Sequence, residues 1–189
     1  MSDTKDISLQ GRLLIASPTM GDPRFEKTVI YMCAHSQHGG AMGIVINKPV
    51  EGINFQELFE QLEIQNIAIE SLQIQYGGPV ENTRGFILHS AEYTAEEVSE
   101  ISPDISLSAS IDILQDIASG NGPKQRIFAL GYSGWGPGQL EDEIKQNGWL
   151  IVDADTDLVF GPELGQKWDQ ALAKIGIDPG KLSSQAGNA

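Results

Sequence analysis

The chain has 189 residues, 40% of them apolar and 20% charged, a composition that suits one substantial folded core rather than a disordered or fibrous chain. Its 26 acids and 12 bases give a formal charge of −14, and from Glu51 to Asp116 thirteen acids stand against one base, Arg84. No basic stripe is available to neutralise a row of phosphates, which argues against direct nucleic-acid binding, and a single cysteine, Cys33, excludes an intrachain disulfide.

The N-terminal MSDTKDISLQGR is polar and has no signal-peptide core, and no apolar run reaches the roughly 18 residues of a membrane helix. A cytoplasmic protein is expected, with residues 1–10 as a mobile leader and 11–189 as one compact unit. Leu13 to Ala16 predicts a strand, followed by a loop from Ser17 to Arg24 that contains Pro18, Gly21 and Pro23. Thr28 to His35 and Met42 to Asn47 predict two strands of a hairpin around the turn Ser36 to Gly40. Phe55, Leu58, Phe59 and Leu62 recur at helical spacing behind Asn54, a predicted N-cap. Gln73 to Tyr76 and Phe86 to His89 predict strands on either side of the turn Gly77-Gly78-Pro79. Ile111, Leu114, Ile117 and Ala118 mark a second helix, with Ser110 as its cap and Gly120 beyond its end. Arg126 to Leu130, Trp149 to Val152 and Leu158 to Phe160 predict further strands. Gln139 to Gln146 predicts a short helix, and Trp168, Ala171, Leu172 and Ile175 give the last helix a buried stripe. Strands outnumber helices and several neighbours look antiparallel, so a mixed sheet with helices packed on it is expected.

The segment from Gly131 to Gly138 carries the chemistry that needs testing. Gly131-Tyr132-Ser133-Gly134-Trp135 lies one residue from the G-x-S-x-G elbow of serine hydrolases, but indole stands where the second glycine must leave room. A nucleophilic Ser133 also needs a base, and His35, His38 and His89 all precede it, against the hydrolase order. A phosphate cradle fares no better, because Glu141, Asp142 and Glu143 open the following helix and would repel an anion. The remaining readings are a tight corner, or a glycine-lined concavity walled by Trp135 that takes a small ligand. The second expects Trp135→Ala to abolish ligand binding while leaving the fold intact.

Cys33 and His35, two apart on a strand, are expected on one face, with His38 close enough to suggest soft metal ligands. The spacing matches no recurring zinc pattern and a fourth ligand is wanting, so no metal and no cofactor are expected. Carboxylates such as Asp22, Asp153, Asp155 and Asp157 are too numerous for any pair to stand out as a general acid and base.

A series of motifs in order does single the chain out. It comprises Leu13-Leu14-Ile15-Ala16-Ser17-Pro18 with Met20 and Asp22-Pro23, then Val29-Ile30-Tyr31-Met32-Cys33, then Gly40-Ala41-Met42-Gly43 with Asn47-Lys48-Pro49. Tyr76-Gly77-Gly78-Pro79-Val80, Arg84-Gly85-Phe86-Ile87-Leu88-His89 and Leu130-Gly131-Tyr132-Ser133-Gly134-Trp135 with Gly138-Gln139-Leu140-Glu141 follow, and Leu182-Ser183 with Ala186-Gly187 closes it. From about residue 11 onward the chain resembles the YqgE/AlgH family of bacterial proteins. The resemblance implies an α/β fold of mixed, α+β character: a layered mixed sheet with packed helices and a smaller α+β portion. It implies no particular reaction and no catalytic residues, and it carries the label of a transcriptional regulator. The chain departs from the family pattern at Ala34-His35-Ser36, where Glu-His-Asn is usual, and at Ala186-Gly187-Asn188-Ala189, where Ala-Gly-His-Ala is usual.

Three functions from different classes follow. The first is a non-catalytic binding or regulatory protein that acts through a protein partner or small ligand, with Asn47, Lys48, Gly77, Gly78, Arg84 and Trp135 as ligand-binding candidates. The second is an enzyme using His35 or His89 with carboxylates, which requires the imidazoles to share a cleft with an acid. The third is a regulator in direct contact with DNA, which the charge disfavours. Oligomeric state is left open.

Overall fold

The computed structural model describes residues 7–182. Burial on both faces places β1 (Arg12–Ala16) between two neighbours: Leu14 opposes Ile30 of β2 (Val29–Ser36), and Leu13 opposes Val152 of β9 (Trp149–Asp153). β2 turns at Ser36 into β3 (Gly40–Val45), the expected antiparallel hairpin. Asn54 caps α1 (Phe55–Gln61) by accepting from the Gln56 N–H at 2.8 Å, as its position predicts. β4 (Ile74–Tyr76) and β5 (Val80–Ser90) flank the Gly77-Gly78-Pro79 turn. β6 (Val98–Glu100) and β7 (Ile105–Ser108) are short strands without a sequence forecast; VSE and ISLS carry too little apolar content to announce themselves.

α2 (Ile111–Ala118) starts at Ser110, whose side chain makes no capping bond. β8 (Arg126–Trp135) corrects the expectation of a loop after Leu130, because the strand continues for five more residues. Tyr132 pairs with Val80 of β5, and Ser133, Gly134 and Trp135 pair with Gly43, Met42 and Ala41 of β3, and a backbone so paired has no reason to leave the sheet. α3 (Gln139–Lys145) follows, and Glu141 and Asp142 occupy its first turn. The predicted strand Leu158 to Phe160 is instead the end of α4 (Thr156–Phe160), started by Asp155, whose carboxylate accepts from the Leu158 N–H at 2.8 Å. That cap closes a helical turn over a short apolar run which periodicity cannot distinguish from a strand. α5 (Lys167–Lys174) and α6 (Pro179–Leu182) end the described chain. Among the described residues no helix is long and apolar enough to cross a membrane.

The nine strands of the described residues join one sheet, in the order β6-β7-β5-β8-β3-β2-β1-β9, with β4 lying parallel to β8 and every other pairing antiparallel. The fold is therefore mixed α/β with α+β character. The sheet curls: Leu13 and Tyr31 from one half meet Phe86, Leu88 and Ile127 from the other in a single cluster, into which α4 and α5 insert Val159, Trp168 and Leu172. The outer face divides. α1 and α2 cover one part, with Phe59, Ile113 and Ile117 against Ile87 and Phe128, and this is the smaller α+β portion. α3 covers the other part with Leu140, against Leu14, Ile30, Trp135 and Trp149.

Candidate functional site

β8 is the strand from which the site is built. Its first half pairs with β4 and β5 and its second half with β3, so its middle must cross closely under the β4–β5 turn. Gly78 makes this possible: at φ 153°, a Cβ there would collide with the backbone of Tyr132 and Ser133. Gly131, at φ 75°, reciprocates beneath the carbonyls of Gly78 and Val80. Gly77 completes the seam, with its N–H donating to Leu130 O at 2.8 Å and its carbonyl accepting from Val45 N at 2.9 Å. Gly77 and Gly78 therefore join strands, and neither borders the site.

With its backbone held, β8 sends Ser133 and Trp135 toward α3. There they border a cavity of about 400 Å³ closed by the Met20 to Phe25 loop and by Trp149. Glu143 organises one wall. Its Oε2 accepts from both indole N–H groups, Trp135 at 2.9 Å and Trp149 at 2.8 Å, and its Oε1 accepts from the Gln139 amide at 3.0 Å. Gln139 in turn accepts from the Gly136 N–H at 3.0 Å, which fixes the loop at the start of α3. Trp135 and Trp149 meet edge to face at 6.1 Å, and Phe25 meets Trp149 in the same way at 5.6 Å. The opposite wall carries Asp22, which caps the Pro23–Phe25 turn and binds the Arg24 guanidinium at 2.7 Å; those hydrogen bonds hold the Asp22 carboxyl below its ordinary value. Ser133 is 1% exposed, and its hydroxyl has no hydrogen-bond partner among the described residues.

Of the six residues singled out from the sequence, Trp135 alone borders this cavity. It is also buried in the third core cluster, so Trp135→Ala is expected to cost about 3–5 kcal/mol of stability and would not separate binding from folding. Asn47 and Lys48 stand behind the cavity wall. Asn47 accepts from Val29 N at 2.9 Å and donates to Lys27 O at 2.8 Å, while Lys48 Nζ donates to Arg24 O at 3.0 Å. Burial lowers the Lys48 ammonium's pKa, and these bonds brace the Phe25 turn from outside. Arg84 borders a second, open groove that shares Gly134 and Trp135 with the cavity, and it is ion-paired there with Glu81 at 3.3 Å and lies over the Phe86 ring at 5.0 Å. Sequence reasoning weighed Ser133 only as a nucleophile and missed Phe25, Glu143 and Trp149. The Gln139/Glu143 spacing of four residues was the available signal, since it places both side chains on one face of α3.

The histidines separate. His35 Nδ1 accepts from the Leu9 N–H at 3.1 Å, which leaves the hydrogen on Nε2 to be donated to Glu141 Oε1 at 2.7 Å. Burial resists ionisation of Glu141, but its backbone bond and His35 outweigh that and hold its carboxyl low. His89 is fully buried elsewhere: Nδ1 donates to Ser90 O and Nε2 accepts from the Ser108 hydroxyl, each at 2.9 Å. His35 is opposite Ala41, which pairs with Trp135 at one end of β8, whereas His89 is opposite Arg126 at the other end. The two imidazoles do not share a cleft, although His35 has an acid beside it in Glu141, and neither ring has a free nitrogen.

Cys33 and His35 do not share a face either. The register slips between Met32 and Ala34, so Cys33 is the extra residue of a bulge. Cys33 points into the curled interior, where burial pushes its thiol up to about 12, while His35 turns to α3 on the outer face. Among the described residues no group of three His, Cys, Asp or Glu side chains is disposed to hold a metal ion. Three of the four acids considered from the sequence have cationic partners: Asp22 with Arg24 at 2.7 Å, Asp153 with Arg12 at 3.0 Å and Asp155 with Lys174 at 2.5 Å.

Known proteins share this chain's architecture. A family model described as AlgH-like (DUF179) matches residues 13–180. A UPF0301 protein of Bradyrhizobium diazoefficiens is 54% identical over 96% of this chain and 88% of its own length, and one of Ruegeria pomeroyi is 50% identical over 97% and 100%. The solution structure of the AlgH protein from Pseudomonas aeruginosa matches over the whole of both chains with a TM-score of 0.79 and 38% identity. A crystal structure from Corynebacterium diphtheriae has the same fold at a TM-score of 0.69 with 18% identity, over 92% of this chain and 90% of that one. The Ala186-Gly187 end of the motif series lies outside the described residues. The strand ladders, the glycine seam under β8 and these similarities agree: the chain belongs to the AlgH-like family.

Proposed function

We propose that the protein is a non-catalytic, cytoplasmic binding protein that holds a small ligand in the cavity between β8, α3 and the Met20 to Phe25 loop. The observation that carries this reading is Ser133. Of the three buried side-chain atoms without a partner among the described residues, the Ser133 hydroxyl is the one that borders this cavity, and a ligand that completes it recovers a cost of roughly 1–3 kcal/mol. The rest of the cavity supports the same reading, with rings and amides fixed by mutual hydrogen bonds before any ligand arrives. Occupied nitrogens on His35 and His89 support binding over acid–base chemistry. The excess of 26 acids over 12 bases supports leaving DNA out of direct contact.

The test is a thermal-shift screen of a charge-balanced metabolite library against the full chain and its Ser133→Ala variant. A ligand at 100 times its Kd stabilises by about 2.7 kcal/mol, which raises Tm by roughly 5–10 °C for a chain of this length. Ligands that stabilise the parent and lose that effect in Ser133→Ala support the reading. A library that shifts neither protein, or shifts both equally, overturns it.

A further inference from the structure

The cavity also carries information about the charge of what it holds, an inference that rests on the ligand-binding reading above. An indole's hydrogen-bond donor is its N–H edge, and both indoles here have spent theirs on Glu143. What Trp135, Trp149 and Phe25 have left for a guest is ring surface, whose negative quadrupole attracts cations. Glu143 itself is not saturated: a carboxylate offers about four acceptor sites, and two indoles and Gln139 take three, which leaves one on Oε1. The charged side chains bordering the cavity are Asp22, Arg24 and Glu143. Asp22 neutralises Arg24 through contacts from both Nε and Nη2, so the balance is one negative charge. Ser133 adds a hydroxyl oxygen able to accept.

We propose that the ligand is a small organic ammonium ion with at least one N–H, its nitrogen drawn to Glu143 and Ser133 and its apolar part against Phe25, Trp135 and Trp149. The cavity, about 400 Å³, sits at the small end of ligand sites and suits a compact amine rather than a nucleotide. Anions are disfavoured, because no free cation or unspent indole donor faces them and Glu143 repels them.

The experiment uses the full chain and four probes built on one short alkyl chain: n-pentylammonium, n-pentyltrimethylammonium with its bulkier head, pentan-1-ol and pentanoate. Each is titrated while the tryptophan indole N–H resonances are followed by two-dimensional NMR, with Trp168, which borders the neighbouring cavity and not this one, as internal control. Pentylammonium is expected to shift Trp135 and Trp149 saturably and to bind at least about tenfold tighter than the alcohol or the carboxylate. Its trimethyl analogue, which has no N–H to give Ser133, is expected to bind more weakly. Ser133→Ala should erase the difference between the two cations, and Glu143→Gln, checked for fold by the same spectra, should erase the preference for charge. Pentylammonium that does not saturate those resonances, or that binds no tighter than pentanol or pentanoate, overturns the charge assignment. In either case a neutral or anionic hit from the library screen would leave the binding reading standing. A library without hits would remove both.

Discussion

At the scale of single residues, several side chains that look reactive in the sequence turn out to be satisfied. His89 is the clearest. Burial lowers its pKa from the ordinary 6.5, the Ser90 carbonyl and Glu92 pulling weakly the other way, so the folded state holds it neutral with hydrogen on Nδ1. A histidine whose folded pKa is depressed binds a proton more readily in the unfolded chain. Its contribution is present above 6.5 and is lost as pH falls below that value. Unfolding free energy from urea titrations is therefore expected to fall between pH 6.5 and 5, a window above the carboxylates, and to fall less steeply in His89→Gln. Equal slopes in the two proteins would show that His89 carries its charge in the fold. Ser133 is the exception among these residues, since its hydroxyl is buried without a partner.

At the scale of elements, legibility followed periodicity. The β2–β3 hairpin was readable because two apolar runs flank a polar turn, and α1, α2 and α5 because their apolar residues repeat at a period of 3.6. Two kinds of feature were not. Register lies in the partner strand: nothing in YMCAH announces that Cys33 is an inserted residue, yet that slip moves His35 to the other face. A glycine run likewise reads as a loop, and only the structure reveals that Gly131 to Gly134 continue β8 under a second glycine pair. The candidate site suffered for both reasons. Trp135 was visible, but its companions Phe25, Glu143 and Trp149 come from three other segments that only tertiary contact unites. The seam itself is testable. A methyl group on Gly78 meets backbone rather than a side chain that could rotate away, so Gly78→Ala is expected to cost about 3 kcal/mol or more in chemical denaturation. Gly165→Ala, where a Cβ enters open space, is the control and is expected to stay within about 0.5 kcal/mol. Similar losses in both would mean that the strands do not depend on the close approach.

At the scale of the whole molecule, one buried cation ties the curled sheet to its helical plug. Lys167 is 1% exposed, and its Nζ donates to Ile46 O just beyond β3 at 3.0 Å and to Val159 O of α4 at 2.6 Å. Both acceptors are neutral carbonyls, so burial dominates and lowers its pKa from 10.5 to about 8. Between those values the unfolded chain holds a proton that the folded chain has released, and stability rises with pH. Four other groups act in the opposite sense but later: burial pushes Cys33 from 9.0, and Tyr31 and Tyr93 from 10.0, up to about 12 and raises Tyr76 from 10.0, so their effect begins near pH 9. The interval from pH 8 to 9 therefore isolates Lys167 from them, and the wild type is expected to gain on the order of 1 kcal/mol there by urea denaturation. Lys167→Met fills the same space without a titrating group and should show no such gain, whatever its stability at pH 7. A wild-type curve that is flat or falling over that interval, or a variant that rises with it, would mean that the lysine stays charged in the fold and that its two carbonyl bonds outweigh its burial.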